Sequence, residues 1–204
     1  MELKDYDGAY HAWLKAAELN AKDEKTAYYL GRLFFEADLP NEAAAWLRKA
    51  LALSPDDFAA MTYLGLSAEA LGYDDTALGL YRNAVYESNS AKKPYSWAYL
   101  SLGKLLVKRG ERNEAIRVLQ EARRKCPEAH ALALLGELLG NSAEAEAVLR
   151  EAVALDAHVS QAHYRLALLL KAKGKSDEAR EEMEKFQAAK SEESKSARVI
   201  ALRR

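Results

Sequence analysis

The residues that could do chemistry in this chain are few, and they do not converge. The four histidines are scattered, and the closest two, His158 and His163, are five residues apart rather than the four that would place two ligands on one helical face. The other two are His11 and His130. The single cysteine, Cys126, excludes an internal disulfide and a cysteine-based zinc cluster. The sequence has no glycine-rich phosphate loop, nucleophile elbow or His-Glu zinc motif. We therefore predict no catalytic residue, no metal site and no cofactor, and we interpret the protein as a non-enzyme.

Composition and charge favour a soluble helical protein that binds neither nucleic acid nor a membrane. The 31 acidic and 30 basic residues give a net charge of −1, so nothing global attracts nucleic acid or anionic lipid. Four prolines and ten glycines leave few helix breakers. The N-terminus lacks the apolar segment of a secretory signal, and no apolar run reaches the roughly 18 residues that span a bilayer. We expect a soluble protein, cytoplasmic by default, although an excised fragment of a longer chain could belong to another compartment.

An amphipathic two-helix pattern recurs along the chain. Each first segment contains a small residue preceded by leucine, in steps of 34, 38, 33 and 31 residues. These small residues are Gly31, Gly65, Gly103, Gly136 and Ala167. Each second segment places a small residue, a large one and usually another small one at i, i+4 and i+7, as in Ala43, Leu47 and Ala50. Such spacing makes one stripe on a helix, and small residues let two helices approach closely. We therefore predict paired helices that pack through this stripe.

The repeat length and its signposts resemble the tetratricopeptide repeat family, a helix–turn–helix unit of ~34 residues with Leu-Gly in its first helix and Ala, aromatic and Pro positions later. The resemblance covers about residues 5 to 190. It implies an all-α fold, a right-handed superhelical solenoid whose first helices line a concave groove. We predict a single array over 1–204. Its parts are a half repeat at 5–22 with a second helix only, repeats at 24–57, 58–91, 96–129, 130–157 (shortened) and 160–190, and a C-terminal capping helix or tail at 191–204.

Three departures from the regular repeat predict local changes in structure. The segment between Ser88 and Pro94 carries four extra residues, which form either a loop or a lengthened helix followed by a loop. The fourth unit lacks three residues after Gly136, which predicts a first helix shortened by most of a turn and an N-cap at Asn141. The last segment has no proline or glycine, so its helix either runs on past Ser191 or breaks there.

The residues between the stripe positions of each first segment face the concave groove that the resemblance implies. Aromatic rings with cations nearby suit an extended peptide, because rings supply contact area at low entropy cost and cations bind carboxylates. The residues that we predict to line a peptide-binding groove are Tyr28, Arg32, Phe35, Tyr63, Leu66, Trp97, Ser101, Lys104, Tyr164, Arg165 and Leu168. The alternative is that these rings only pack neighbouring repeats together.

We predict a non-catalytic protein–protein interaction scaffold that binds a peptide or protein segment in this groove, with a partner that the sequence does not identify. The alternative is a structural or assembly module that self-stacks through its ends, or a fragment of a larger multidomain protein. The N-terminal half repeat motivates this alternative. Tyr10 and Leu14 should lie on the side away from Trp13, which makes that end less polar than a solenoid cap usually is. Self-association through the half repeat is therefore the second partner prediction.

Overall fold

The protein is all-α over the residues that its structure, a computed structural model, describes. These are Gly8, Lys15 and residues 23–201, apart from the side chains of residues 193 and 196–201. Residues 23–201 contain ten helices and no strand: α1 (Glu24–Glu36), α2 (Pro40–Leu53), α3 (Phe58–Ala70), α4 (Asp74–Ser90), α5 (Ser96–Lys108), α6 (Arg112–Lys125), α7 (Ala129–Leu139), α8 (Ala143–Leu155), α9 (Ser160–Ala172) and α10 (Ser176–Ala201). The predicted all-α fold is confirmed. Within this described part, no helix combines the length and apolar character needed to cross a lipid bilayer.

The half repeat predicted at 5–22 lies outside the described residues, apart from Gly8 and Lys15. The self-stacking alternative that rests on this segment therefore stays a prediction, as do the residue bounds of the individual repeats.

Turn and cap residues determine where the helices end and begin. Gly72 follows α3 with a φ of 83°, a conformation that is unfavourable for residues with a Cβ. Asp38 takes the same region, at 62°, in the turn between α1 and α2, where the sequence has no glycine. The N-cap of α3 is Asp57, whose carboxylate accepts hydrogen bonds from the backbone N–H groups of Ala59 and Ala60, both at 2.9 Å.

The chain divides into two compact units, Met1–Leu105 and Leu106–Arg204. In the first unit α1 packs against α2, α2 against α3 and α3 against α4, and α1 also contacts α3. In the second unit α7 packs against α6, α8 and α9, while α9 also packs against α8 and α10. In its described part, each unit is therefore a stack of helical hairpins whose contacts join helices that are close along the chain.

The predicted stripe of small and large residues forms the core of both units. Leu47, Tyr81 and Leu149 are fully buried. Each lies against the glycine of the preceding helix, so closely that a Cβ at Gly65 would be 2.5 Å from Cε1 of Tyr81. The large side chain of the second helix therefore fills the space that the glycine of the first helix leaves.

Gly65→Ala is expected to lower the free energy of unfolding by about 1–3 kcal/mol, because the added methyl group overpacks the contact with the Tyr81 ring. Gly79→Ala in α4 is the matched control. Gly79 is exposed, and no atom lies within 4 Å of the added Cβ. This control change should stabilise by roughly 0.5–1 kcal/mol, since alanine is the better helix former. Urea denaturation followed by far-ultraviolet circular dichroism measures both, and effects of the same sign would contradict the prediction.

The four extra residues lengthen α4. This helix has 17 residues, whereas α2 has 14 and α3 has 13, and a short loop follows it. The added turn is tied to α5 by a pair of hydrogen bonds. Nδ2 of Asn89 donates to the Tyr99 hydroxyl at 2.7 Å, and that hydroxyl donates to Oδ1 of Asn89 at 3.0 Å. Tyr99 is fully buried, so this contact lies inside the first unit.

The structure also shows what becomes of the shortened fourth unit and of the last segment. The helix α7 has 11 residues, two fewer than α1 or α3. The N-cap of α8 is Ser142 rather than Asn141, because Ser142 has the extended backbone of a cap and its Oγ accepts from the backbone N–H of Ala145 at 3.0 Å. The helix α10 is continuous past Ser191.

The second unit also buries a polar pair. His163 on α9 and Glu182 on α10 are both buried, and Nδ1 of the histidine lies 2.6 Å from a carboxylate oxygen of Glu182. Nε2 of His163 lies 3.1 Å from the carbonyl oxygen of Ala157, and Lys185 donates to the second oxygen of Glu182 at 2.7 Å. Each ring nitrogen of His163 therefore has a hydrogen-bonding partner inside the second unit.

Candidate peptide-binding surface

Four predicted groove residues of the first unit form one cluster on α1 and α3. The ring centroids of Tyr28 and Tyr63 are 6.0 Å apart and those of Phe35 and Tyr63 are 5.8 Å apart, both in edge-to-face orientation. The guanidinium carbon of Arg32 lies 5.7 Å from the centroid of the Tyr63 ring. Tyr63 therefore joins three residues of α1 to α3. We call Tyr28, Arg32, Phe35 and Tyr63 the Tyr63 cluster.

Helical spacing explains why these residues meet. Residues 28, 32 and 35 are i, i+4 and i+7 on α1, so their side chains share one face. All four members of the cluster are half-buried, and the three rings pack against the core that contains Leu47 and Leu64. Tyr29, 39% exposed, adds a fifth group with its ring 5.1 Å from that of Tyr28. Each ring of the cluster therefore contributes to packing and still presents part of its surface.

Arg32 supplies the charge of the cluster. Its Nε donates to Oε1 of Glu36, one turn later on α1, at 2.9 Å. Within the described part of the chain, the terminal amino groups of this guanidinium have no hydrogen-bond partner. A guanidinium has five N–H donors, so Arg32 can hold Glu36 and still donate to a ligand carboxylate or carbonyl.

Tyr95 is a neighbour of the cluster that sequence reasoning missed. It directly precedes α5, and its ring centroid lies 5.5 Å from that of Phe58. Burial raises the pKa of Tyr95 to about 12, with a further contribution from the Tyr63 phenol. Burial likewise raises the pKa of Tyr28 well above its ordinary value of 10.0, and the Tyr95 and Tyr63 phenols add to this. Both phenols therefore remain protonated at neutral pH and are able to donate a hydrogen bond.

The remaining predicted residues of the first unit do not join the cluster. Leu66 is half-buried, Trp97 is 54% exposed and Lys104 is exposed. Among the described residues, no ring or charge contact connects these three to the cluster. Ser101 is buried, so it presents little surface to a ligand.

The last three predicted site residues lie on α9, in the second unit. The Tyr164 ring centroid is 5.2 Å from that of Phe186 on α10, and the guanidinium carbon of Arg165 is 5.8 Å from the Tyr164 centroid. Tyr164 is 36% exposed and Leu168 is 40% exposed. The second unit therefore has an aromatic and cationic surface of its own.

The guanidinium of Arg165 on this second surface is already bound to the carboxylate of Glu137. Nη2 of Arg165 donates to Oε1 of Glu137 at 2.5 Å, and Nε2 of Gln161 donates to the other oxygen at 3.1 Å. Nε of Arg165 is buried and has no hydrogen-bond partner among the described residues. A carboxylate on a ligand would compete with Glu137 for this guanidinium.

The described part of the chain offers groups that suit the recognition of a ligand. Among the side chains that the structure describes, no group of three or more His, Cys, Asp or Glu residues is placed to hold a metal ion. Burial raises the pKa of the Cys126 thiol, which lowers its thiolate fraction and so its reactivity. The Tyr63 cluster offers ring surface, phenol donors and one guanidinium.

Comparison with known families accounts for the repeated hairpins. One tetratricopeptide repeat model matches residues 1–58, 28–94 and 139–194, and a second matches residues 98–127. The chain belongs to the tetratricopeptide repeat family. No curated protein matches this tetratricopeptide repeat protein significantly in sequence.

Solved structures share the fold of this tetratricopeptide repeat protein. YrrB, described as a TPR protein with an unusual peptide-binding site, is 21% identical with a TM-score of 0.62, over 87% of this chain and 92% of YrrB. PilF of Pseudomonas aeruginosa is 19% identical with a TM-score of 0.72, over 81% of this chain and 76% of PilF. A thermophilic TPR protein of Thermus thermophilus is 25% identical with a TM-score of 0.61, over 82% of this chain and 91% of that protein. The tetratricopeptide repeat is generally a non-catalytic interaction module that binds protein partners, and the fold of this chain is consistent with an interaction scaffold.

Proposed function

We propose that this tetratricopeptide repeat protein binds an extended peptide segment of a partner protein on the Tyr63 cluster and is not itself an enzyme. The observation that carries the proposal is the contact of the Tyr63 ring with Tyr28, Phe35 and Arg32 across two helices. These contacts hold the rings in place before a ligand arrives, which reduces the entropy cost of binding. The peptide-binding site described for YrrB, a protein of similar fold, supports the same class of function.

The chemistry of the cluster defines the peptide that would bind. The three half-buried rings each leave well under half of their ~150–250 Å² exposed, and this area suits one apolar side chain of the peptide. The Tyr28 phenol donates to peptide carbonyl groups. The terminal amino groups of Arg32 donate to a carboxylate of the peptide. The exposed Trp97 indole offers a flanking contact on the next first helix.

Tyr63→Leu is expected to weaken peptide binding by at least about tenfold, because it removes the ring that joins the cluster while keeping an apolar side chain against the core. Peptides selected by the wild-type protein from a random library serve as probes, and fluorescence anisotropy measures their affinity for each variant. Arg32→Ala should lower the affinity for those selected peptides that carry a carboxylate.

Tyr86→Ala is the matched control, because Tyr86 is 67% exposed and lies on α4, which carries no member of the cluster. It should leave affinity unchanged, and circular dichroism should show equal helicity for all variants. Selected peptides that bind Tyr63→Leu and Arg32→Ala as tightly as the wild type would refute the proposal, and so would a selection that yields no binding peptide.

A further inference from the structure

The first unit also contains a pocket, which shares no residue with the Tyr63 cluster. A pocket of about 350 Å³ lies between α2, α3 and the start of α4. Its lining is mainly apolar and includes Ala44, Leu64, Ala68 and Leu80. Tyr73, 63% exposed, also lines it. Ligand pockets typically measure ~300–1,000 Å³, so this one is large enough for an apolar side chain and the groups beside it.

One cation lines this apolar pocket. Arg48 of α2 is exposed, and it makes no ion pair or hydrogen bond with any residue that the structure describes. The other described arginine of α1 and α2, Arg32, is paired with Glu36. A guanidinium beside apolar walls, with its donors unused, complements a carboxylate attached to an apolar group.

We propose that this pocket is a second docking site, for a protein segment that inserts an apolar side chain next to an aspartate or glutamate. The apolar walls favour a leucine-like side chain, since burial removes its surface from water. Arg48 selects the neighbouring carboxylate and disfavours a basic segment through like-charge repulsion. The site goes beyond the proposed function, because a partner could occupy it whether or not the Tyr63 cluster is filled.

The test is an NMR titration of the full chain with a terminally blocked pentapeptide in which leucine lies between two glutamates. Saturable shifts are expected for the methyl groups of Ala44 and Ala68. Arg48→Glu should weaken this binding at least about tenfold, because it replaces the attraction with repulsion. Arg117→Glu on α6 is the matched control, because Arg117 is exposed and also lacks a partner among the described residues. This substitution changes the net charge as much as Arg48→Glu does but lies outside the pocket, so it should leave pentapeptide binding unchanged.

A second variant tests the volume of the pocket rather than its charge. Thr76 lines the pocket from an exposed position, so Thr76→Trp should fill the space without disturbing the core. It should weaken binding of the pentapeptide by about as much as Arg48→Glu does. Tyr63→Leu should leave this binding unchanged, which separates this site from the proposed function. The inference is overturned if Arg48→Glu has no effect, if a peptide with lysines in place of the glutamates binds equally, or if decanoate binds where the peptide does not.

Discussion

Tyr81→Ala is expected to lower the free energy of unfolding by about 3–5 kcal/mol, the usual range for removing a large aromatic side chain from a core. The Tyr81 ring is fully buried against Gly65, so its removal leaves a cavity between α3 and α4. The change also removes the hydrogen bond from the hydroxyl to Oε2 of Glu69, at 3.1 Å. Urea denaturation followed by circular dichroism measures the loss.

Two further variants separate the causes of this loss. Tyr81→Phe keeps the ring and removes only the hydroxyl, and is expected to cost about 0.5–1.5 kcal/mol. Tyr86→Ala removes the same type of side chain from an exposed position of the same helix, and should change stability by less than about 0.5 kcal/mol. If Tyr81→Ala cost no more than Tyr86→Ala, the packing of the hairpin would have to be different from that described.

Glu182→Ala is the second variant with a large expected effect, a loss of about 3–5 kcal/mol, because it leaves the buried His163 ring without its carboxylate. Burial acts to raise the pKa of Glu182, but the hydrogen bonds from Lys185 and His163 outweigh it and hold this pKa below its ordinary value of 4.5. The ionised Glu182 carboxylate therefore stabilises the fold fully above its ordinary pKa of 4.5, and this contribution is lost as the pH falls through the lowered pKa.

The control removes both partners. In the double variant His163→Leu, Glu182→Met, apolar side chains of similar volume replace the pair, and stability should recover to within about 1 kcal/mol of wild type. The acid part of the stability profile, measured by denaturation from acid to neutral pH, should also become shallower in Glu182→Ala and in the double variant. An unchanged acid slope in both would contradict the stabilising role assigned to the carboxylate.

The sequence was sufficient to predict the helical hairpins and the contacts that hold them. Leucine-glycine pairs in the first helices and i, i+4, i+7 stripes in the second specify which faces meet, and Gly65 does lie against Tyr81. The same periodicity places Tyr28, Arg32 and Phe35 on one face of α1, and in the structure these three residues contact Tyr63.

The failures have physical causes that periodicity does not contain. Ser101 shares its helical face with groove positions, but the packing of neighbouring helices buries it, and spacing along one helix does not contain that packing. Tyr95 lies before the first residue of α5, where helical spacing gives no direction to its side chain. The N-cap is Ser142 rather than Asn141 because Ser142 has the extended backbone of a cap, and the sequence pattern does not specify which of the two residues takes that conformation. The peptide-binding role of the Tyr63 cluster stays a proposal, since ring contacts alone specify no ligand.

The neighbour-to-neighbour packing of the helices has a consequence for how the chain acquires its structure. In the described part of each unit, contacts join helices that are adjacent or nearly adjacent along the chain. Closing such short loops costs little entropy, and proteins dominated by local contacts fold quickly. A hairpin such as α1–α2 can form as soon as both helices have left the ribosome, and each later helix can then dock on a surface that is already in place.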